Sequence, residues 1–411
     1  MDNENNVNNS AINMNILRKQ RLEKLQTIIN MGINPYPTKF ERTDNIGEVK
    51  LKFSETASEE PNQKEISIAG RITTMRKMGK ASFFNVKDWY DKIQIYIKKD
   101  ICGEENFKIF SEFDISDIVG IKGNVFKTKT GELSILAKEV NLLAKSLKAL
   151  PIVKEKETVE GEKIKFDEVS DLEFKYRQRY VDLNISEESK NIFKKRSQII
   201  SFIRNYLIDK NFLEVETPIT QTLYGGAAAK PFETYHNALN MPLYLRIAPE
   251  LYLKRLIAGG VDRVFEIGKN FRNEGISTKH NPEFTMLELY QSYADYNDIM
   301  DLVENMITEC LKKVNNGDMF VKFGDITLDF NKRWNRIKLE DLFKKYADID
   351  FQYLENLDEI NKVADKFKIL YDPNSTVQKI YDLIFENKIE KHLIEPTIVY
   401  DFPKAWSPLA K

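Results

Sequence analysis

The sequence predicts an α+β protein in two parts: an all-β barrel near the N-terminus, then a domain of antiparallel strands and helices. Three observations predict it. Short strands with alternating apolar residues crowd the stretch from Glu65 to Ala144. A helical run from Ser189 to Asp209 feeds an extended stretch, NFLEVETPIT, which carries Pro218. Two strand-like runs, Val264–Phe271 and Glu283–Tyr290, flank a polar loop rich in Asn, Gly, Ser and Lys, the pattern of a hairpin with a long charged loop.

In chain order, residues 1–62 form an N-terminal extension. Residues 1–13 are Asn-rich and acidic, which predicts disorder. From Met14 to Met31 the residues Ile16, Leu17, Leu22, Leu25, Ile28 and Ile29 recur at helical intervals, and Gly32 is placed to stop the helix before the extended INPYP. Residues 63–150 contain ISIAGRI, SFFNVKD, KIQIYIKK, DIVGIKGNVF and ELSILAKEVNLL, broken by glycine turns. Five strands in so short a span suit a small Greek-key barrel of the oligonucleotide-binding (OB) type. Single-strand binding needs aromatic platforms and basic groups, and Phe83 is the expected stacking ring. Phe84, beside it, points to the other face, so Phe83 reads equally well as the core ring. Residues 151–175 are charge-dense, contain Pro151 and Gly161, and predict a linker. The second domain then covers 176–411. Its stretch from about Asp298 to Lys313 is helical, and the segments between Lys338 and His392 carry no chemistry that their residues announce.

Composition narrows the function. A length of 411 residues suits two or three domains. The 62 basic and 63 acidic side chains nearly cancel, so any nucleic-acid contact must be a local patch. The cysteines, Cys102 and Cys310, lie far apart and the histidines, His236, His280 and His392, are scattered, so neither a disulfide framework nor a His/Cys metal site is expected. No run approaches transmembrane length. The start lacks the apolar core of a secretory signal, and the default compartment is a reducing cytoplasm.

The hairpin carries the chemistry. Residues two apart share a strand face, which aligns Glu266, Gly268, Asn270 and Arg272 on one strand and Phe284, Met286, Glu288 and Tyr290 on the other. A structural face would be apolar. One that offers a guanidinium, carboxylates, an aromatic ring and a phenol suits a ligand with phosphate, polar groups and a flat ring.

FRNEGISTKHNPEFTMLE resembles the second signature motif of class II aminoacyl-tRNA synthetases, and the lysine-specific form in particular. The helix and strand ending at Pro218 resemble the first motif, TLYGGAAAKPFETYHN and APELYLKRLI resemble the substrate loops, and YRQRYVDL resembles the entry to the catalytic domain. MRKMGKASF, KIQIYI and VFKTKTGELSI are similar to the anticodon-binding barrel of the lysine, aspartate and asparagine enzymes. The resemblance implies a class II antiparallel-sheet catalytic domain and ATP-dependent attachment of L-lysine to tRNA(Lys) through lysyl-adenylate, in a cytoplasmic homodimer with Pro218 at the interface.

The resemblance also implies roles. Arg272 would meet the α-phosphate and the amino-acid carboxylate, as a guanidinium fork fits both. Phe284 would stack on adenine, Glu274 and Asn281 would face base and ribose, and His280 the distal phosphates. Gly226, Glu250, Arg272 and Tyr290 would bind lysine. A carboxylate at the Glu250 position is also favoured by the helix dipole. Arg76, Phe83, Gln94 and Glu132 would read the anticodon. The lysine carboxylate is already an anion, so alignment and charge neutralisation suffice and no histidine-based triad is needed.

The resemblance runs from Met14 to Lys411. In the family, the counterpart of PTIVYDFPKAWSPLAK is followed by further strands and a third motif, with an arginine on ATP and the expected Mg2+ ligands. Those residues are not in this sequence, so the expectation is an incomplete active site and little or no lysine-dependent ATP–pyrophosphate exchange. One reading is a fragment or interrupted copy of the lysine-specific ligase; another is a non-catalytic tRNA-binding fragment. An aspartate or asparagine ligase is a third, against which HNPEFTMLELY and APELYLK argue.

Overall fold

The structure, a computed structural model, describes residues 2–148, 150–151, 154–157, 163–166, 171–277, 280–351 and 356–406. The chain divides into two compact units, Met1–Ser189 and Lys190–Lys411.

In the first unit, strand β1 (Glu65–Met78) is long enough to serve two neighbours. Its first half pairs with β4 (Ile118–Lys127) and its second half with β2 (Ala81–Lys87), with a register shift between Ile72 and Thr74. With β3 (Lys92–Lys98) and β5 (Leu133–Ala144) they close a barrel in the order β1-β2-β3-β5-β4, all pairs antiparallel except β3 with β5. Every strand expected from the sequence is present. Alternation along β2 turns Ser82, Phe84 and Val86 inward and Phe83 and Asn85 outward, so Phe84 is core and Phe83 is not.

Helix α1 runs over Asp2–Asn30. It begins well before the expected start at Met14 and takes in residues read as disordered. No Gly or Pro interrupts residues 1–31, and extending an existing helix costs far less than nucleating one. Ile28 enters the barrel core, and Arg21 donates to the carbonyls of Ser146 and Ile115 at 2.7 and 2.9 Å. Helix α2 (Ile46–Phe53) opens with a capping box between Asn45 and Glu48. Helix α3 (Lys99–Ser111) lies between β3 and β4 and has no counterpart in the sequence reading. Its break at Gly103, φ +82°, interrupts the helical pattern. The expected linker contains a short antiparallel hairpin, β6 (Lys154–Glu157) with β7 (Lys163–Phe166), followed by α4 (Leu172–Arg177) and α5 (Arg179–Ile185). Linker residues 152–153, 158–162 and 167–170 lie outside the described residues.

The second unit opens with α6 (Glu187–Asp209). The stretch carrying Pro218 forms only β8 (Leu213–Glu214) and β9 (Thr220–Gln221), which belong to different sheets. Proline has no amide hydrogen for a ladder, which explains the break. β9 pairs with β11 (Met241–Leu245), itself paired with β10 (Glu233–His236). After α7 (Glu250–Ala258) comes the hairpin of β12 (Arg263–Phe271) and β13 (Glu283–Gln291), with β8 parallel to β12. The predominantly antiparallel character expected is present, divided among small sheets. One face of the hairpin, with Phe265, Ile267, Leu287 and Leu289, packs on Leu207 of α6 and Met306 of α8 (Tyr296–Val314).

Beyond lie the hairpin β14 (Phe320–Phe323) and β15 (Ile326–Asp329), then β16 (Asn335–Lys338) parallel to β17 (Thr397–Tyr400). Helices α9 (Leu339–Ala347), α10 (Leu357–Lys366) and α11 (Val377–Ile384) build a separate core around Phe343, Ile380, Tyr381 and Ile384.

A buried charge cluster ties the end of the barrel together. Lys145, its side chain fully buried, donates to Asp114 and Asp117 at 2.7 Å each and to the Glu112 carbonyl at 2.8 Å. Lys24 of α1 adds a bond to Asp114. Burial would raise the Asp114 carboxyl, but the hydrogen bonds from Lys145 and Lys24 hold it below its ordinary range. Removing one partner strands the others. Lys145→Ala is expected to lower stability by about 3–5 kcal/mol, read as a shift of the urea midpoint of the barrel signal. An unchanged midpoint would mean the cluster contributes nothing.

Candidate active site and nucleic-acid surface

The hairpin register places the predicted residues on one face. Glu266 lies opposite Glu288, Gly268 opposite Met286, and Asn270 opposite Phe284. The ladder continues past the last pair, because the Arg272 amide donates to the Pro282 carbonyl at 2.9 Å. The Arg272 guanidinium lies 5.1 Å from the centre of the Phe284 ring, so the two residues expected to share a ligand are on the same side of the ribbon and half-buried.

A buried ion pair lies on this face. Arg246, just after β11, pairs with Glu266 and is 1% exposed. It also donates to the Thr217 hydroxyl at 3.1 Å and, through Nε, to the Lys269 carbonyl at 2.8 Å. Thr217 donates its hydroxyl to Glu266 at 2.7 Å. Gly268 makes room for the guanidinium: a Cβ there would sit 2.2 Å from Nη2 of Arg246.

Next to this pair is an acidic corner. Tyr290 donates its hydroxyl to Glu288 at 3.0 Å. Burial pushes the Glu288 carboxyl above its ordinary range. The Tyr290 hydrogen bond opposes that rise, and the nearby Glu250 and Glu266 carboxylates add to it. Burial, with Glu288 and Glu250 nearby, also raises the Tyr290 hydroxyl far above its usual value. Glu250 sits in the first turn of α7, and its carboxylate accepts from Lys254 at 2.6 Å rather than capping the helix. The Lys254 ammonium also lies 5.7 Å from the centre of the Tyr290 ring. An alkylammonium group therefore already finds a carboxylate and an aromatic face in this corner. Gly226 closes against it with φ +87°, where an added Cβ would lie 2.8 Å from Cβ of Glu250; both the backbone angle and the space require glycine.

Not every expected residue joins this constellation. Glu274, His280 and Asn281 are exposed on the loop between β12 and β13, and Thr278 and Lys279 lie outside the described residues. His280 exchanges hydrogen bonds with Ser277, its Nδ1 at 2.8 Å from Oγ. Among the described residues, no hydrogen bond links the side chains of Glu274, His280 or Asn281 to Arg272 or Phe284. Pro218 is exposed, its carbonyl accepting from Gln221 at 3.2 Å. Sequence reasoning placed Glu288 on the right face but gave it no role. It passed over Arg246, whose partners are distant in sequence. The alternation of β13 was the available signal for Glu288; none existed for Arg246.

On the barrel, outward residues of β2, β3 and β4 form an aromatic strip. Phe83 stacks on Tyr96 with ring centres 4.5 Å apart, and Tyr96 leads to Phe126 at 6.1 Å. Arg76 is the cross-strand partner of Phe83. Gln94 lies in the next row and accepts from the Ser134 hydroxyl at 2.9 Å. Glu132 is exposed in the turn before β5, its amide and carbonyl bonded to Thr128. Rings on a half-exposed face, flanked by a cation and an amide, fit stacking and reading of unpaired bases.

The family models agree with this division. The model for class II tRNA synthetases (D, K and N) matches residues 171–411, and the model for an OB-fold nucleic acid binding domain matches residues 66–143. The lysine–tRNA ligase of Listeria innocua is 45% identical over 408 residues, which cover 99% of this chain and 79% of that protein. That of Bacillus cereus has the same identity and coverage. The enzyme of Syntrophomonas wolfei is 45% identical over 405 residues, 98% of this chain and 78% of its own length. Likeness of this extent, across both the aromatic barrel face and the acidic, arginine-bearing hairpin, makes the chain a member of the lysine–tRNA ligase family of class II tRNA synthetases.

Proposed function

We propose that this chain binds L-lysine and ATP for the formation of lysyl-adenylate and its transfer to tRNA(Lys), its described residues forming the lysine, α-phosphate and adenine side of that site. The observation that carries the reading is the acidic corner beside Arg272. Glu250 and Glu266 both lie close enough to act on the Glu288 carboxyl; Arg246 is the ion-pair partner of Glu266, and Lys254 that of Glu250. Glu288 suits one ammonium group of lysine, and Glu250, which already accepts an ammonium group from Lys254, suits the other. An aspartate side chain would meet like charge there, which disfavours the aspartate ligase reading.

In the proposed reaction, a lysine carboxylate oxygen forms a bond to the α-phosphorus, the bond to the β-phosphate oxygen breaks, and pyrophosphate leaves. Arg272 holds carboxylate and α-phosphate together and offsets the charge that builds between them. Phe284 supports adenine, Glu274 and Asn281 face the base and ribose, and His280 the distal phosphates. Glu250 receives the α-ammonium with Gly226 close by, and Glu288 with Tyr290 receives the side-chain ammonium. ATP is bound with Mg2+ in such enzymes generally. Among the described residues no three His, Cys, Asp or Glu side chains come together as a metal site. Arg76, Phe83, Gln94 and Glu132 would hold the anticodon. Exposed apolar side chains near Pro218, among them Leu213, Ile219 and Leu223, support a homodimer contact at that segment. Among the described residues no helix is long and apolar enough to cross a membrane; a cytoplasmic location belongs to the same reading.

The direct test is calorimetric titration of the purified protein with a non-hydrolysable sulfamoyl analogue of lysyl-adenylate. Binding is expected for the lysyl form, and equal affinity for the aspartyl form would sink the reading. Arg272→Ala is expected to weaken that binding, and to reduce any lysine-dependent ATP–pyrophosphate exchange by about hundredfold or more.

Glu288 adds a pH signature. Its folded-state pKa is raised, so ionisation costs stability, and that cost grows as pH rises from the ordinary carboxylate range through the raised value. Glu288→Gln is expected to raise the melting temperature near neutral pH, to give no gain in mild acid, and to weaken lysine binding. A lower melting temperature at neutral pH would contradict this.

On the barrel, Phe83→Ala is expected to cost about 1–3 kcal/mol in tRNA(Lys) binding, measured by filter retention. Unchanged retention would remove Phe83 from the proposed surface.

A further inference from the structure

Asn270 stands two residues before Arg272 on the ligand face of β12, directly across from Phe284. It is completely buried, yet among the described residues neither its amide oxygen nor its amide nitrogen has a hydrogen-bond partner. The Nε of Arg272 is likewise buried and, among the described residues, unpartnered. Cross-strand neighbours lie with Cβ atoms about 5 Å apart, and same-face neighbours on one strand about 7 Å apart. Asn270, Phe284 and Arg272 therefore form one patch, with the guanidinium over the ring. Orphan buried polar groups are destabilising in a free protein, and native structures satisfy nearly all of them. The Arg246–Glu266 pair alongside is fully engaged with Thr217 and Lys269, whereas Asn270 is left over at the point where the ligand-binding arginine emerges.

We infer that Asn270 is a positioning residue for Arg272, acting through an ordered water that donates to the amide oxygen and accepts from the Arg272 Nε–H. A buried water with polar partners on two or more sides is an ordinary element of protein interiors. Anchoring Nε fixes the plane of the guanidinium and leaves both Nη groups pointing away from the strand, free for a carboxylate and a phosphate. The inference rests on the proposed role of Arg272.

The test contrasts volume with polarity at one position. Asn270→Leu keeps the volume and removes the polar atoms; Asn270→Ser keeps a hydroxyl and gives up volume. Each is titrated with the sulfamoyl lysyl-adenylate analogue by calorimetry, and melted without ligand. Asn270→Leu is expected to weaken binding by about tenfold, the scale of one lost hydrogen bond, with a melting temperature equal to or above that of the unaltered protein. Asn270→Ser is expected to stay within about threefold of it. Wild-type affinity in Asn270→Leu overturns the inference. So does the opposite order, in which Ser binds worse than Leu and the loss follows the drop in melting temperature, because that is a packing role. If the unaltered protein does not bind the analogue, the proposed function fails first and this inference falls with it.

Discussion

The buried ion pair between Arg246 and Glu266 is the constraint on which the site depends. Two charges with almost no solvent exposure are tolerable only when geometry and extra hydrogen bonds repay their desolvation. Here Thr217 bonds to both partners and the Lys269 carbonyl takes the remaining Nε–H. The pair joins three segments distant in sequence: the stretch before β9, the end of β11, and β12. It also explains Gly268, because the guanidinium occupies the space a side chain would need.

Once Glu266 is neutralised, the rest of the electrostatics follows. Glu250 and Glu288 remain as the carboxylates of the corner, and Lys254 shows that an ammonium group is accepted there. Burial keeps the Glu288 carboxyl hard to ionise, a cost that a bound cation would relieve. On the other side of the same ribbon, Phe265, Ile267, Leu287 and Leu289 pack on helices. The ribbon thus separates an apolar layer that stabilises from a polar layer that carries the proposed site, and a register slip of one residue would exchange them.

The barrel applies the same separation at smaller scale. Alternation in β2 sends Phe84 to the core and Phe83 to the surface, where it meets Tyr96. Aromatic rings on an outer barrel face add little to folding, and their stacking suits contact with bases. The charge cluster of Lys145, Asp114, Asp117 and Lys24 holds α1 to the barrel.

What the sequence determined by itself was whatever repeats at short range. Period-two alternation fixed the five barrel strands, the opposite facing of Phe83 and Phe84, and the shared face of Arg272 and Phe284, because a strand has no freedom in which way successive side chains point; burial in the structure made Phe84 the core ring. The motif from Phe271 to Glu288 was legible by its resemblance to a known family signature, a match of contiguous residues that needs no tertiary contact. Tertiary structure decided the rest. Arg246 reads as an ordinary surface arginine until folding brings Glu266 and Thr217 to it. The carboxylate of Glu250 reads equally as a helix cap until Lys254 is seen to take it. Helix α3 was hidden by Gly103, and the reach of α1 by a composition that favours disorder in isolation. The Arg246 cluster depends on contacts between residues far apart in the chain, which leave no periodic trace in the order of amino acids. The Glu250–Lys254 pair, the break at Gly103 and the reach of α1 are local, and there competing local readings were equally open until the structure chose between them.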